Sequence, residues 1–265
     1  MLYNARNCTL DIDGTKMDYA VFGKGKKALV IIPGLSLRDV RGAALGLAYM
    51  YHCFAKDYTV YVFDRKRDIS DGYTVRDIAQ DTADAMKQLR IETADVFGVS
   101  QGGMVAQYLA LEHPELVDKL VLGVTLSRKN PTLERVIGSW LDGIRKGDIS
   151  GIVRDMTVLM YSDAYVKRYR LLIPLLAKFS KPKDMHRFEI LTAACLTCDT
   201  YERLMELKCP VLVLGGREDK IVTGEASEEI AEKLGCEIHM YEDLGHAAYE
   251  EAPDFNKRIY DFLMK

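Results

Sequence analysis

The chain has 265 residues, of which 48% are hydrophobic and 28% charged, and its formal net charge is −3 at pH 7. This composition excludes intrinsic disorder and collagen-like repeats, and it lacks the basic surplus of nucleic-acid-binding domains. No apolar run approaches the ~20 residues of a membrane span, and no signal-peptide segment follows Met1. The six cysteines do not indicate a disulfide scaffold. We therefore expect a soluble, reduced, cytoplasmic protein with no nucleic-acid partner and no membrane span.

A β-hairpin is predicted at the start of the chain, where strands at 8–12 and 16–22 flank the turn dipeptide Asp13-Gly14. The later strands are predicted from continuous apolar runs, because a strand buried on both faces of a parallel sheet needs apolar side chains throughout. These runs lie at 28–32, 59–63, 95–99, 120–124, 211–214 and 237–241.

Helical patterns separate the apolar runs. Thr74 and Asp77 resemble a capping box, and apolar residues recur at helical spacing behind them as far as Leu89. Further helices are predicted after Ser100 and at 224–234 and 253–264. Because alternating strands and helices indicate right-handed crossovers, the predicted fold class is α/β, with a mostly parallel, doubly wound sheet that has helices on both faces.

The alternation stops between residues 127 and 208. This segment shows helical patterns at 133–144, 152–161 and 165–179 and no convincing strand. A single α/β domain with an insertion commonly reaches this chain length. We therefore predict a core formed by residues 1–126 and 209–265, with a helical cap inserted at 127–208.

The pattern G-x-S-x-G occurs at residues 98–102, with Ser100 at its centre. It lies where the predicted strand 95–99 meets a predicted helix, which is the context of a nucleophile elbow, a strained turn that lifts a serine hydroxyl above the sheet. The flanking glycines leave room for such a tight turn. The alternative is an ordinary glycine-rich turn. Ser100 is the candidate nucleophile because the rest of the chain supplies a candidate base, a candidate acid and candidate oxyanion donors.

A serine hydroxyl needs a base to activate it, and the base needs an acid to orient it. His246 follows the last predicted strand, at the sheet edge where Ser100 also emerges, whereas the other four histidines lie in predicted helices, in a strand or in the insertion. The acid is expected after the preceding strand. There Asp219 is favoured over its neighbour Glu218, and the alternative is that this acidic pair is only a solvated loop charge.

Two backbone amides are candidate donors to an oxyanion. One belongs to Gln101, directly after the candidate nucleophile, and the other belongs to Leu35, in the loop after the third strand. The hydroxyl of Ser36 is a further candidate, although a plain loop serine is the simpler interpretation. These amides complete a candidate site for attack on a carbonyl group.

Several segments outside the elbow share one family's pattern. They are Ile32-Pro33-Gly34, Phe63-Asp64-Arg65, the stretch 113–122, the loop 216–222 and Gly245-His246. On these segments the chain resembles α/β-hydrolases with a helical cap, over nearly its whole length. The order of Ser100, Asp219 and His246 along the chain is also the order of that fold.

Two departures from the family pattern concern loops near the candidate site. The family usually carries His-Gly in the oxyanion loop, where this chain has Pro33-Gly34. The backbone donor is kept, but orientation of the loop by an imidazole is lost. After the fourth strand the family commonly shows Asp-x-x-Gly-x-Gly-x-Ser, whereas residues 64–70 contain no glycine. That loop is therefore expected to take another course.

The resemblance implies a serine hydrolase that cleaves a small carboxylic ester or thioester through an acyl-enzyme, with no cofactor and no metal. A serine at the elbow argues against epoxide hydrolases and haloalkane dehalogenases, which have aspartate there. The lipase loop His-Gly-Gly-Gly and the proline iminopeptidase elbow Gly-Gly-Ser-Trp-Gly are absent. Hydrolysis of an amide, or of a carbon–carbon bond beside a ketone, uses the same groups and stays open. A ligand-binding or signalling protein on a hydrolase scaffold is the alternative from another class.

The predicted cap is basic. Between residues 128 and 190 there are thirteen Lys and Arg against seven Asp and Glu. The simpler interpretation is a solvated outer surface. The alternative is that some of these cations, concentrated at 167–170 and 178–183, face the cleft and attract an anionic substrate.

Two further patterns in the cap have competing interpretations. Tyr161, Tyr165 and Tyr169 recur at helical spacing and either line an acyl pocket or pack within the cap. The segment Cys195-Leu196-Thr197-Cys198 has the spacing of half a zinc site or of a redox pair. No second C-x-x-C accompanies it. We therefore interpret Cys195 and Cys198 as small buried thiols.

Overall fold

The computed structural model describes residues 2–173 and 182–265. The strands are β1 (Arg6–Ile12), β2 (Thr15–Gly23), β3 (Lys27–Ile32), β4 (Tyr58–Lys66), β5 (Ala94–Val99), β6 (Val117–Gly123), β7 (Val211–Gly216) and β8 (Glu237–Tyr241). They form one sheet in the order β1-β2-β4-β3-β5-β6-β7-β8. The β1–β2 and β2–β4 pairs are antiparallel, and every later pair across the sheet is parallel. The predicted fold class is confirmed.

Ten helices are assigned in the described part of the chain. They are α1 (Ala44–Met50), α2 (Val75–Gln88), α3 (Gln101–Glu112), α4 (Pro131–Arg145), α5 (Ile149–Met160), α6 (Asp163–Tyr169), α7 (Met185–Ala194), α8 (Gly224–Leu234), α9 (Ala248–Glu251) and α10 (Phe255–Leu263). Thr74 and Asp77 form the predicted capping box at the start of α2. Within residues 2–173 and 182–265, no helix has the length and the apolar character needed to cross a membrane.

Helices on both faces of the sheet explain the continuous apolar runs of its central strands. In β3, Val30 and Ile32 belong to the core on the face covered by α2 and α3, whereas Leu29 and Ile31 belong to the core on the face covered by α1 and α10. All four side chains are at most 1% exposed. Burying such a side chain contributes about 1.5–3 kcal/mol, so both faces anchor the strand whose carboxyl end leads into the Pro33-Gly34 loop.

The chain leaves the sheet between β6 and β7 and forms α4 to α7, so the described part of this segment is mainly helical, as predicted. An isolated bridge between Arg128 and Asp199 joins the two ends of the excursion. The indole of Trp140 on α4 donates to Asp155 on α5 at 2.7 Å. The predicted helix 165–179 extends only to Tyr169 in α6, and residues 174–181 lie outside the described residues. The domain boundaries at 127 and 208 stay a prediction.

Candidate active site

The turn that carries Ser100 is a strained junction between β5 and α3. Ser100 has φ 54° and ψ −120°, backbone angles that residues with a side chain rarely adopt. Its amide donates to the Gly123 carbonyl at 2.8 Å, and its carbonyl accepts from the Thr125 hydroxyl at 2.7 Å. A Cβ on Gly102 would lie 1.9 Å from the carbonyl oxygen of Ile32, so this position needs glycine. The turn therefore has the geometry that the G-x-S-x-G pattern predicts.

Ser100, His246 and Asp219 form one continuous chain of hydrogen bonds. The Nε2 atom of His246 lies 2.8 Å from Ser100 Oγ, and its Nδ1 atom lies 2.7 Å from Asp219 Oδ2. His246 is 3% exposed and Asp219 is 7% exposed, so little water competes for these contacts. With the proton on Nδ1, the ring donates to the carboxylate and accepts from the serine hydroxyl. The structure thus brings these three predicted residues together.

The loop after β7 carries two neighbouring acids, and its conformation determines which of them is hydrogen-bonded to His246. Asp219 Oδ1 accepts hydrogen bonds from the amides of Ile221 at 2.8 Å and Val222 at 3.0 Å, which leaves Oδ2 for His246. The side chain of Glu218 is exposed to solvent. The structure therefore places Asp219, and not Glu218, at the imidazole.

His246 lies in the short loop between β8 and α9. A Cβ on Gly216 would lie 2.2 Å from the Gly245 carbonyl oxygen, so the loops that carry the acid and the base touch backbone to backbone. The amide of Ala247 donates to the carbonyl of Met160 at 2.7 Å, which ties the histidine loop to the end of α5. The other histidines contact different residues: His52 with Tyr49, His113 with Gln80, His186 with Asp71 and His239 with Tyr241.

The loop after β3 lies against Ser100. A Cβ on Gly34 would lie 3.2 Å from the Cβ of Ser100 and 3.7 Å from its Oγ. No carbonyl within the described ranges accepts a hydrogen bond from the amide of the next residue, Leu35. Gln101 is the first residue of α3, so its amide has no intrahelical partner. The Gln101 amide directly follows Ser100 in the chain, and the Leu35 amide follows Gly34, which lies against Ser100. The hydroxyl of Ser36 accepts a hydrogen bond from the Arg38 amide at 3.0 Å.

Arg65 is a buried arginine next to the Pro33-Gly34 loop, and it is not among the site residues predicted from the sequence. Arg65 is 5% exposed, and its Nη2 atom donates to the Pro33 carbonyl at 2.6 Å and to Gln101 Oε1 at 3.0 Å. Burial lowers the pKa of its guanidinium, although neighbouring Asp64 acts to raise it. An arginine after an apolar strand is normally solvated, so its burial could not be inferred. Two sequence features pointed to this region: Phe63-Asp64-Arg65 follows the family pattern, and residues 64–70 lack the family's glycines.

A cavity of about 690 Å³ lies between the Pro33-Gly34 loop and the helical insertion. Tyr161, Tyr165 and Tyr169 line it, so the structure favours the pocket interpretation of this tyrosine row. The rings of Tyr161 and Tyr165 stack with centroids 4.2 Å apart, and those of Tyr165 and Tyr169 are 4.5 Å apart. Burial raises the pKa of Tyr161, which also donates a hydrogen bond to Glu250. Most of the remaining wall is aliphatic, as at Met156.

The cations of the insertion fall into two groups. Most are exposed, among them Lys167, Arg168, Arg170 and Lys183 of the predicted basic clusters. Arg187, on α7, is half-buried and instead lines a smaller cavity of about 200 Å³ beside Leu35. There it pairs with Asp64 at 3.1 Å. Lys178 and Lys181, which belong to the predicted basic cluster, lie outside the described residues.

Cys195 and Cys198 are both buried, and both thiols are free. Burial raises the pKa of Cys195 to about 11 and that of Cys198 to about 12, so both are protonated at neutral pH. The Sγ atom of Cys195 accepts from Gln101 Nε2 at 3.2 Å. The two cysteines therefore fit the interpretation as packed thiols.

Comparisons with known proteins match this architecture. Residues 29–255 match the model of the Alpha/beta hydrolase family. A relative from Rhizobium rhizogenes, named "Putative carbamate hydrolase RutD", is 23% identical over 247 residues, 89% of this chain and 92% of that protein. The 2-hydroxy-6-oxo-6-phenylhexa-2,4-dienoate hydrolase of Comamonas testosteroni is 26% identical over 212 residues, 77% of this chain and 72% of that protein.

Among solved structures, the enol-lactonase from Burkholderia xenovorans LB400 has a similar fold. Its TM-score is 0.85 at 20% identity, over 97% of this chain and 100% of that one. The residues that match the family model include Ser100, Asp219 and His246. The predicted resemblance and the prediction of an enzyme are both confirmed. The chain belongs to the alpha/beta hydrolase family of enzymes.

Proposed function

We propose that this enzyme is a serine hydrolase that cleaves a small carboxylic ester or thioester through an acyl-enzyme. The observation that carries the proposal is the buried chain of hydrogen bonds from Asp219 through His246 to Ser100. An oriented base next to a serine hydroxyl is the arrangement that activates this otherwise weak nucleophile.

Acylation begins when Ser100 Oγ attacks the carbonyl carbon of the substrate. His246 Nε2 takes the serine proton, and the electron pair of the carbonyl moves onto its oxygen. The amides of Leu35 and Gln101 donate to this oxyanion. When the tetrahedral intermediate collapses, the bond to the leaving group breaks. The alkoxide or thiolate then receives the proton from His246.

Deacylation repeats the same steps with water as the nucleophile. His246 takes a proton from water, and the hydroxide oxygen bonds to the acyl carbon. When this intermediate collapses, the bond between the acyl carbon and Ser100 Oγ breaks, Ser100 Oγ receives the proton from His246, and the carboxylic acid leaves. Asp219 stabilises the imidazolium in both halves, and its other oxygen is fixed by two backbone amides. Each step uses only these side chains and amides, so the proposal includes no cofactor and no metal.

The cavity beside the oxyanion loop supports a substrate with an apolar or aromatic acyl group. Its volume of about 690 Å³ lies within the range of ordinary ligand pockets. The row of Tyr161, Tyr165 and Tyr169 offers aromatic faces and edges along one wall. Hydrolysis beside a ketone is a second candidate, because the Comamonas relative is named for a substrate that has a ketone next to a phenyl group.

An ester series of graded acyl length tests the proposed reaction. With p-nitrophenyl esters we expect kcat/KM to rise about fourfold for each added methylene until the cavity is filled, since burying one methylene contributes about 0.8 kcal/mol. A burst of nitrophenol equal to the enzyme concentration would support the acyl-enzyme. Acyl-CoA thioesters, amides and an aryl 1,3-diketone, assayed in parallel, distinguish the bond that is cleaved. A single turnover or none on every compound would contradict the proposal and favour a ligand-binding or signalling protein.

A pair of esters tests whether the substrate is anionic. We propose that Arg187, which lines the cavity beside Leu35 and is ion-paired with Asp64 and Asp39, contributes to a positive field that attracts a distal carboxylate. A succinate half-ester is then expected to exceed the matched butyrate ester by about tenfold in kcat/KM at low salt. The advantage is expected to disappear at about 1 M salt, where the Debye length is ~3 Å. Arg187→Gln should remove the advantage, whereas the exposed Arg168→Gln should not. Equal kcat/KM values for both esters at low salt would mean that the basic residues form a solvated surface and do not attract the substrate.

A further inference from the structure

Arg65 connects the carboxyl ends of three adjacent strands. Its backbone belongs to β4, and its side chain contacts Pro33 after β3 and Gln101 after β5, which are neighbours in the sheet order β4-β3-β5. A single nitrogen, Nη2, makes both contacts, at 2.6 Å to the Pro33 carbonyl and 3.0 Å to Gln101 Oε1. β3 and β5 pair with each other up to Ile32 and Gly98, and the guanidinium adds a side-chain link between the segments that follow them.

The two segments are those that carry the proposed oxyanion donors. Pro33 lies two residues before Leu35 in the same loop, and Gln101 itself supplies the second amide. We propose that Arg65 is a positioning residue that fixes the amides of Leu35 and Gln101 relative to each other. It thereby takes the place of the imidazole that this oxyanion loop lacks. This inference rests on the proposed function, because it assumes that these amides bind an oxyanion.

Stability alone gives a weak reason for this guanidinium to be buried. Replacing a buried ionic group by an apolar side chain of similar size is often neutral or stabilising. The Nε atom of Arg65 also has no hydrogen-bond partner among the described residues, and this adds to the cost of burial. A planar guanidinium is pre-organised and loses little rotamer freedom for each bond it forms. Arginine is thus suited to setting a distance between two backbone segments.

The surroundings fix Arg65 in turn. Arg187 Nη2 donates to the backbone carbonyl of Arg65 at 2.9 Å and to Asp64 Oδ1 at 3.1 Å. On the other side, Gln101 Nε2 donates to the Leu191 carbonyl at 2.6 Å. The side chain of Arg65 is therefore bounded by partners that are themselves bonded, as a positioning group requires.

The test measures the oxyanion directly. A short alkyl trifluoromethyl ketone forms a hemiketal when Ser100 Oγ bonds to its carbonyl carbon, the carbonyl electron pair moves to oxygen and the serine proton moves to His246. Fluorine NMR across a pH series gives the pKa of the hemiketal oxygen, which correctly placed amide donors lower. In Arg65→Met we expect this pKa to rise by about one to two, and kcat for an ester to fall about 10- to 100-fold with KM nearly unchanged.

Two further variants make the result specific to the position of Arg65. Arg65→Lys keeps a cation able to reach one acceptor, so we expect a smaller rise of the same sign. Arg67→Met removes an arginine two residues away that pairs with Asp18 at 2.7 Å, and we expect the hemiketal pKa of the wild-type enzyme. If Arg65→Met does not fold, Arg65→Lys and Gln101→Met, which keeps the Gln101 amide, decide the question by the same two measurements.

The outcomes separate this proposal from the proposed function. A wild-type enzyme that forms no hemiketal would overturn the proposed function and this inference with it. A normal wild-type hemiketal whose pKa and kcat stay unchanged in the folded Arg65 variants would overturn the positioning role alone. Loss of thermal stability in Arg65→Met with an unchanged hemiketal pKa would likewise assign Arg65 a purely structural role.

Discussion

Replacing Ser100 with alanine is expected to reduce kcat for an ester by about 10⁶-fold and to leave the fold intact. The loss is large because the serine, the base and the acid act as one unit, so removing the nucleophile leaves only binding and the oxyanion donors. The bonds that hold the turn use the backbone of Ser100, so they remain in the variant. The measurement is steady-state turnover of a p-nitrophenyl ester, with circular dichroism and a thermal melt as the folding checks.

Ser36→Ala is the matched control, since Ser36 lies two residues after Gly34, whose position is in contact with Ser100. Its hydroxyl accepts one hydrogen bond from the Arg38 amide, so the expected loss is less than about tenfold, the size of one ordinary hydrogen bond. Turnover by Ser100→Ala above about a hundredth of the wild-type rate would contradict the assignment of the nucleophile.

Asp219→Asn is expected to reduce kcat by about 10⁴-fold. Because the amides of Ile221 and Val222 donate to Oδ1, the asparagine side chain would keep its oxygen there and turn its NH₂ toward His246. The imidazole would then carry its proton on Nε2 and could not accept the proton of Ser100. Comparing kcat for the variant and the wild-type enzyme at the same pH measures this effect.

Glu218→Gln is the matched control for the acid. The side chain of Glu218 is exposed, so neutralising it is expected to change kcat little. If Glu218→Gln lost more activity than Asp219→Asn, the acid would have to be reassigned to Glu218. The two variants differ from the wild type by the same chemical change at adjacent positions, so their ranking depends on position alone.

Much of the sheet could be predicted because buried parallel strands leave continuous apolar runs. The runs at 28–32 and 95–99 correspond to β3 and β5 within one residue at each end. Strand ends were harder to predict. The apolar run of the fourth strand stops at Phe63, but β4 continues to Lys66 because backbone pairing with β2 extends to Met17. Such backbone pairing does not depend on the polarity of the side chains, so it cannot be predicted from an apolar pattern.

The candidate triad could be predicted because its residues follow predictable strands. Parallel strands bring their carboxyl ends to one edge of a sheet, so a serine, an acid and a histidine after three such strands are expected to be close together. Their catalytic roles stay a prediction. Arg65 could not be found in this way, since its buried position depends on contacts with Pro33 and Gln101, which follow other strands. The pocket role of the tyrosine row likewise depended on where α5 and α6 lie over the sheet.

The side chain of Gln101 has a consequence for exchanging insertions between family members. It is 0% exposed, and its Nε2 atom donates to the Leu191 carbonyl and to Cys195 Sγ, both supplied by the insertion. A chimaera with a foreign insertion would have to present an acceptor at the same place. Otherwise it would bury an unpaired amide at a cost of about 1–3 kcal/mol, directly beside Ser100. Recombination at the boundaries of the insertion is therefore constrained by one glutamine, and the design of such hybrids should begin with the residues that face it.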